Sequence, residues 1–146
     1  MNDTPFPFER TTCACEGCRK CCKVQPGPLI PGDLQRIAEF LKLSVEEARK
    51  FFVASPGALV KQHGEVRRIG TITPKMRHSR CVFLDKNERC KIHPVAPAGC
   101  AYFDTHMSRE QAMPRGIELA KRTQDPAYQA QRMQLPYTSS YKPRRY

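Results

Sequence analysis

Apolar residues recur at intervals of three and four early in the chain and change to a partly alternating pattern after about residue 65. Leu34, Ile37, Ala38 and Leu41 fall on one face of a helix that opens at Pro31-Gly32-Asp33. A second helix is predicted from Ser44, where Ser44-x-x-Glu47 makes a capping box and Val45, Ala48, Phe51 and Phe52 supply the apolar stripe. Leu43, just before the cap, can staple onto it, and Pro56-Gly57 should stop it. Residues 65–73 are β-branched and predict a strand that Pro74 closes. Cys81-Val82-Phe83-Leu84 and Arg89-Cys90-Lys91-Ile92 flank the polar loop Asp85-Lys86-Asn87-Glu88, a pattern for a β-hairpin that would bring Cys81 near Cys90. Two short helices follow, one with Pro114 in its first turn and Ile117, Ala120 and Lys121 after it, the other opened by Asp125-Pro126 and ended by Pro136.

These elements predict a small α+β fold, mainly helical with a short β-hairpin and stapled by a cysteine metal site. Residues 1–12 read as an irregular N-terminal arm, 13–136 as a single domain and 137–146 as a flexible basic tail.

Composition adds a reason for the staple. Leu, Ile, Val and Phe make up only about a fifth of the 146 residues, there is no Trp, and 13 prolines interrupt regular structure. A metal bound only by the folded chain adds its binding free energy to folding, roughly 10–16 kcal/mol for structural zinc in small peptides. The eight cysteines could instead make four disulfides, which need an oxidising compartment. The opening Met-Asn-Asp-Thr-Pro-Phe-Pro-Phe-Glu-Arg has no basic start, apolar stretch or small-residue cleavage site. No apolar run reaches the length of about 18 residues that a membrane span needs. A cytoplasmic protein with reduced thiols is therefore expected, and the cysteines read as metal ligands.

Five of the eight cysteines lie in Cys13-Ala-Cys15-Glu-Gly-Cys18-Arg-Lys-Cys21-Cys22, and the others are Cys81, Cys90 and Cys100. Cys15-x-x-Cys18 places two sulfurs within reach of one ion, the usual half of a structural zinc site. Its continuation to Cys21 also has the spacing that holds three corners of a four-iron cluster, although the adjacent Cys22 departs from the ferredoxin form. Neighbouring side chains such as Cys21 and Cys22 diverge, so they suit two ions better than one, or one binds while the other is a redox or core thiol. His93, three residues past Cys90 and beside a proline, is a further candidate ligand. Asp104 and His106, just past Cys100, could orient a ligand, but polar groups at a helix start are the favoured reading.

The two blocks resemble a bacterial family, the YkgJ-type cysteine cluster proteins, also called the zinc- or iron-chelating CxxCxxCC domain. Cys15, Cys18, Cys21 and Cys22 match its signature, and Pro31-Gly32-Asp33 matches a Pro-x-Asp helix start. Cys81-Val82-Phe83-Leu84, Cys90-Lys91-Ile92 and Pro97-Ala98-Gly99-Cys100 match a second block, so the resemblance covers roughly residues 13–103. His93 and Ala96 stand where many members have Tyr and Arg, and Cys13 is additional. The resemblance implies that Cys15, Cys18, Cys21, Cys22, Cys81, Cys90 and Cys100 are ligands of a zinc or iron ion. Related cysteine-rich segments in a flagellin lysine-methylating protein keep an enzymatic or iron–sulfur role open.

Three functions are consistent with this pattern. The first is a cytosolic protein that chelates zinc or iron, mainly for folding and with metal handling or sensing as further roles. The second is an iron–sulfur redox protein. The third is a zinc-finger-like nucleic-acid binder, motivated by charge alone: the net charge is +11, with 8 basic and 7 acidic side chains in residues 1–60 against 17 and 7 in residues 61–146. No aromatic–basic interleaving or recognition-helix pattern supports it, and no nucleophile–base pair, phosphate loop or carboxylate dyad marks an enzyme. The expected partner is a metal ion, with no membrane.

Overall fold

The computed structural model describes residues 4–11, 26–104 and 106–138. Helix α1 (Asp33–Leu41) forms where the apolar spacing places it, with Leu34, Ile37 and Ala38 buried. It stops at Lys42, which takes a left-handed φ of 59°, and the next amide, Leu43 N–H, bonds the Ala38 carbonyl at 2.9 Å. The Ser44 box is present: Glu47 N–H donates to Ser44 Oγ and Ser44 N–H to Glu47 Oε1, both at 3.1 Å.

The helix that this box starts, α2 (Val45–Ala48), is only one turn long and passes through a 3-10 turn (Arg49–Phe51) into a strand. Phe52, expected on the helix stripe, is the first residue of β1 (Phe52–Gln62). Pro56-Gly57 does not end an element. It forms a bulge inside β1, where the pairing register shifts between Ser55 and Ala58. Gly57 has φ +79°, and a Cβ there would lie 1.6 Å from the Ile69 carbonyl oxygen, so only glycine fits the crossing. A short apolar run carries both periods, and the partner strand decides between them.

That partner is β2 (Glu65–Pro74), antiparallel to β1. The two are joined through His63 and Gly64, with φ 52° and 79°, the positive pair of a type I′ turn. The chain is thus α+β as expected, but its main hairpin lies at residues 52–74. The hairpin expected over 81–92 is reduced to one bridge, Leu84 to Cys90. Cys81 instead ends β4 (Arg80–Cys81), which pairs with β3 (Met76–Arg77). The backbone of residues 81–82 is committed elsewhere, with the Val82 N–H on the Lys75 carbonyl at 2.9 Å and the Leu84 N–H on the Cys81 carbonyl at 3.0 Å. In the connecting turn Asp85 Oδ1 accepts the Asn87 N–H at 2.8 Å and the Arg89 N–H at 3.0 Å. A side chain that satisfies the local backbone in this way competes with a ladder.

After a 3-10 turn (His93–Val95) comes the single-turn α3 (Ala98–Ala101). Helix α4 (Arg109–Thr123) begins earlier than Pro114 implies, because Ser108 and Gln111 form a second capping box. Pro114 therefore sits in the second turn, where it gives up one helical bond. Helix α5 (Pro126–Arg132) starts as expected, with Asp125 Oδ2 accepting the Tyr128 N–H at 3.0 Å. Among the described residues no helix is long and apolar enough to cross a membrane.

The largest core cluster joins α1, Ala48, Phe52, Ile72, Cys81, Phe83, Ile92 and Tyr128. Tyr128 ties it together from within: its hydroxyl donates to the Leu29 carbonyl and accepts the Ile72 N–H, both at 2.7 Å. Tyr128→Phe is expected to cost about 2 kcal/mol, because it leaves a buried donor and a buried acceptor unmatched. A urea midpoint unchanged from the parent would contradict this. Residues 136–138 lie along β1, with the Ala54 N–H on the Pro136 carbonyl at 2.8 Å and the Thr138 N–H on the Ala54 carbonyl at 3.0 Å. The arm residues 4–11 carry no helix or strand, yet Phe6 is buried and stacks on Tyr102 with ring centres 4.4 Å apart.

Candidate metal centre

The cysteine block 13–22, with Cys13, Cys15, Cys18, Cys21 and Cys22, lies outside the described residues. Both flanks end on α3. On the N-terminal side the Thr11 N–H donates to the Ala101 carbonyl at 2.8 Å. On the C-terminal side the Gly99 N–H donates to the Pro28 carbonyl at 2.9 Å. There the backbones touch: a Cβ on Gly27 would lie 2.1 Å from the Gly99 carbonyl carbon, and one on Gly99 would lie 2.1 Å from Pro28 Cδ. The described chain thus stops at Thr11 against α3 and resumes at Pro26–Pro28 against the same helix.

Helix α3 carries Cys100. Its sulfur accepts the Gly27 N–H at 3.2 Å, the kind of amide donor that a metal-bound thiolate takes from its surroundings. Thr11 is held a second time, since its hydroxyl donates to Asp104 Oδ2. That hydrogen bond, with the His106 and Met107 N–H groups, holds the Asp104 carboxyl below the usual carboxylate range despite some desolvation. Asp104 thus fastens the chain just before the cysteine block, a more specific role than a polar helix start. The charge pattern alone did not show it, because its partner is distant in sequence.

Asp33 braces α3 from the other side. It is 4% exposed, and its Oδ2 accepts the Ile30 N–H at 2.9 Å and the Ala98 N–H at 3.0 Å. Its Oδ1 pairs with Arg36. Burial pushes the carboxyl above its ordinary value, against the opposite pull of the two N–H donors and Arg36. In sequence the only sign of this role is the Pro-Gly-Asp helix start.

The other two thiols of the second block sit apart in kind. Cys81 is 6% exposed and belongs to the main core cluster, with Cys90 packed against that cluster. Burial pushes the Cys90 thiol up, the nearby Asp85 charge adds to this, and the Ile92 N–H opposes it. His93 is exposed, and its carbonyl accepts Arg10 Nη2 at 2.7 Å. Among the described residues no three His, Cys, Asp or Glu side chains come together as a ligand set. Cys81, Cys90 and Cys100 thus do not make up a ligand set by themselves. The donor chemistry suits zinc or iron: thiolates are soft ligands, and a tetrahedral sulfur set fits either zinc or iron–sulfur chemistry.

A sequence profile of the CxxCxxCC family, described as a zinc- or iron-chelating domain, matches residues 14–129. The chain belongs to that family. The match begins just after Cys13 and contains the other seven cysteines. No solved structure matches the chain.

Proposed function

We propose that Cys15, Cys18, Cys21 and Cys22 bind zinc or iron together with Cys81, Cys90 and Cys100, and that the metal serves mainly to hold the fold. Metal handling or sensing would be secondary uses of the same site, in a cytosolic setting that keeps the thiols reduced. The observation that supports this reading is that the described residues on both sides of the cysteine block, Thr11 and Gly27-Pro28, bond to α3, where the Cys100 sulfur already accepts the Gly27 N–H. The thin core supports a structural role, since metal binding by the folded chain alone is folding free energy.

The chemistry asked of each part is limited. The thiols give up their protons when the metal binds, which makes affinity fall in acid. Gly27, Asp33 and Asp104 position the two blocks. No residue is assigned a catalytic step.

Elemental analysis and a visible spectrum of anaerobically purified, tag-free protein test the proposal. The expected result is stoichiometric zinc or iron. Brown protein whose absorption is bleached by dithionite would place an iron–sulfur cluster on these thiols and make the role redox. Protein that carries no zinc or iron as purified, and whose melt does not change when either metal is added or removed, would overturn the reading.

A further inference from the structure

The metal reading leaves the basic second half of the chain without a use, and the β1–β2 hairpin gives it one. Glu65, Val66, Arg67 and Arg68 are four successive strand residues and all are exposed, Val66 to 66%. Alternate strand residues face opposite sides, so exposure of all four means that side chains on both faces of the ribbon reach solvent toward the turn. Nearer the body, Val60 and Ile69 are buried with Ala120 of α4, which covers one face.

The pairing Lys61↔Val66 and Leu59↔Arg68 puts Lys61, Val66, Leu59 and Arg68 together on the opposite face. Gly70 follows two residues after Arg68 on that face, and the Arg132 guanidinium lies over it: a Cβ on Gly70 would be 2.3 Å from Arg132 Cζ. Arg132 is fixed there by its Nη2–H on the Ser55 carbonyl at 2.8 Å. Three cations thus run along one face. Lys61 and Arg68 are diagonal neighbours, about 7–8 Å apart at the backbone, and Gly70 lies about 7 Å beyond Arg68.

No carboxylate occupies these strand positions. The ion pairs among the described residues are Arg36–Asp33, Arg80–Glu88 and Arg122–Glu118, so neither Lys61 nor Arg68 is neutralised by one of them. Val66 and Leu59 lie between the cations.

The geometry points to a nucleic-acid contact: the Lys61–Arg68–Arg132 face of the ribbon binds the phosphate backbone of duplex DNA. A two-stranded ribbon is a shape that the major groove admits. Contacts of this kind position a protein without reading sequence. The inference stands on the ribbon alone and does not depend on which metal the cysteines hold.

The test uses the full-length, metal-loaded protein and fluorescence anisotropy with a mixed-sequence duplex of about 25 base pairs across a salt series. The parent is expected to bind with an affinity that falls steeply as salt rises, by about 0.9 in log–log slope per phosphate contacted. The double variant Lys61→Glu/Arg68→Glu should bind at least about tenfold more weakly near 0.1 M salt, with the slope reduced by about two. Both positions are exposed, so its circular dichroism and Tm should match the parent. The variant Lys86→Glu/Arg109→Glu makes the same change in net charge at exposed sites off the ribbon and should bind nearly as the parent does. Equal loss in both variants would show a diffuse charge effect and overturn the proposal. So would absence of duplex binding by the parent at low salt. Binding to anionic phosphatidylserine vesicles but not to the duplex, lost in the ribbon variant, would replace the nucleic acid with a membrane surface.

Discussion

Cys100→Ser is expected to lose bound metal at chelator concentrations that the parent withstands, and to melt roughly 10 °C lower. If four ligands share the roughly 10–16 kcal/mol of a structural zinc site, one of them is worth about 3 kcal/mol. At this chain length each kcal/mol shifts Tm by about 2–4 °C. The substitution isolates the metal term because serine keeps a hydrogen-bond acceptor for the Gly27 N–H that now meets the Cys100 sulfur. After both proteins are stripped of metal, parent and variant should therefore melt within about 1 kcal/mol of each other.

Cys81→Ser provides the contrast. Cys81 is buried among Ile72, Phe83 and Leu84, and a hydroxyl placed there costs about 1–3 kcal/mol whether or not metal is present. Its deficit should survive stripping, whereas that of Cys100→Ser should vanish. Full metal content and the parent's melt in Cys100→Ser would remove Cys100 from the site.

The parts of the fold that could be read from sequence are those whose signal is local. The stripe of α1, the Ser44 box, the bounds of β2 and the Asp125-Pro126 start of α5 each depend on residues within one or two turns of one another. Strand β1 could not be read because Pro56-Gly57 is a stop signal in isolation and a bulge only when Ile69 lies across from it. Helix α4 starts upstream of the first turn that Pro114 suits, because the Ser108–Gln111 box begins six residues before that proline. The expected hairpin at 81–92 shrinks to one bridge because Cys81 and Val82 pair with Met76 and Lys75 instead, a contact outside the local pattern.

The site divides in the same way. The thiols are identifiable by type and spacing, and the family match contains the seven that were expected to bind. What positions them is carried by contacts far apart in sequence: Thr11 on Ala101 and Asp104, Gly27 on Gly99 and Cys100, and Asp33 on Ala98. Gly27 and Gly99 read as turn residues until the two backbones are seen to touch.

Asp33 offers the sharpest test of that bracing. Asp33→Ala should destabilise the protein by about 3–5 kcal/mol, because the buried Ile30 and Ala98 N–H groups both lose their acceptor, at about 1–3 kcal/mol each, and Arg36 loses its partner. Asp33→Asn should cost about 1 kcal/mol or less, since one amide oxygen can accept both N–H groups as Oδ2 does now. The two variants also separate packing from charge through pH. Burial raises the folded-state carboxyl above its unfolded value of about 3.9, so the folded chain holds the proton more tightly. The stability that Asp33 contributes in this way is present below the unfolded value and is lost as pH rises through the raised folded one. Urea midpoints taken from pH 4 upward should show the parent losing ground to Asp33→Asn as pH increases. The opposite trend would mean that Arg36 and the two amides outweigh burial. Because Asp33 Oδ2 reaches the first residue of α3, the helix that carries Cys100, Asp33→Ala should also release metal more readily, and Asp33→Asn should retain it. Equal metal retention by the two variants would separate the bracing of α3 from the metal centre.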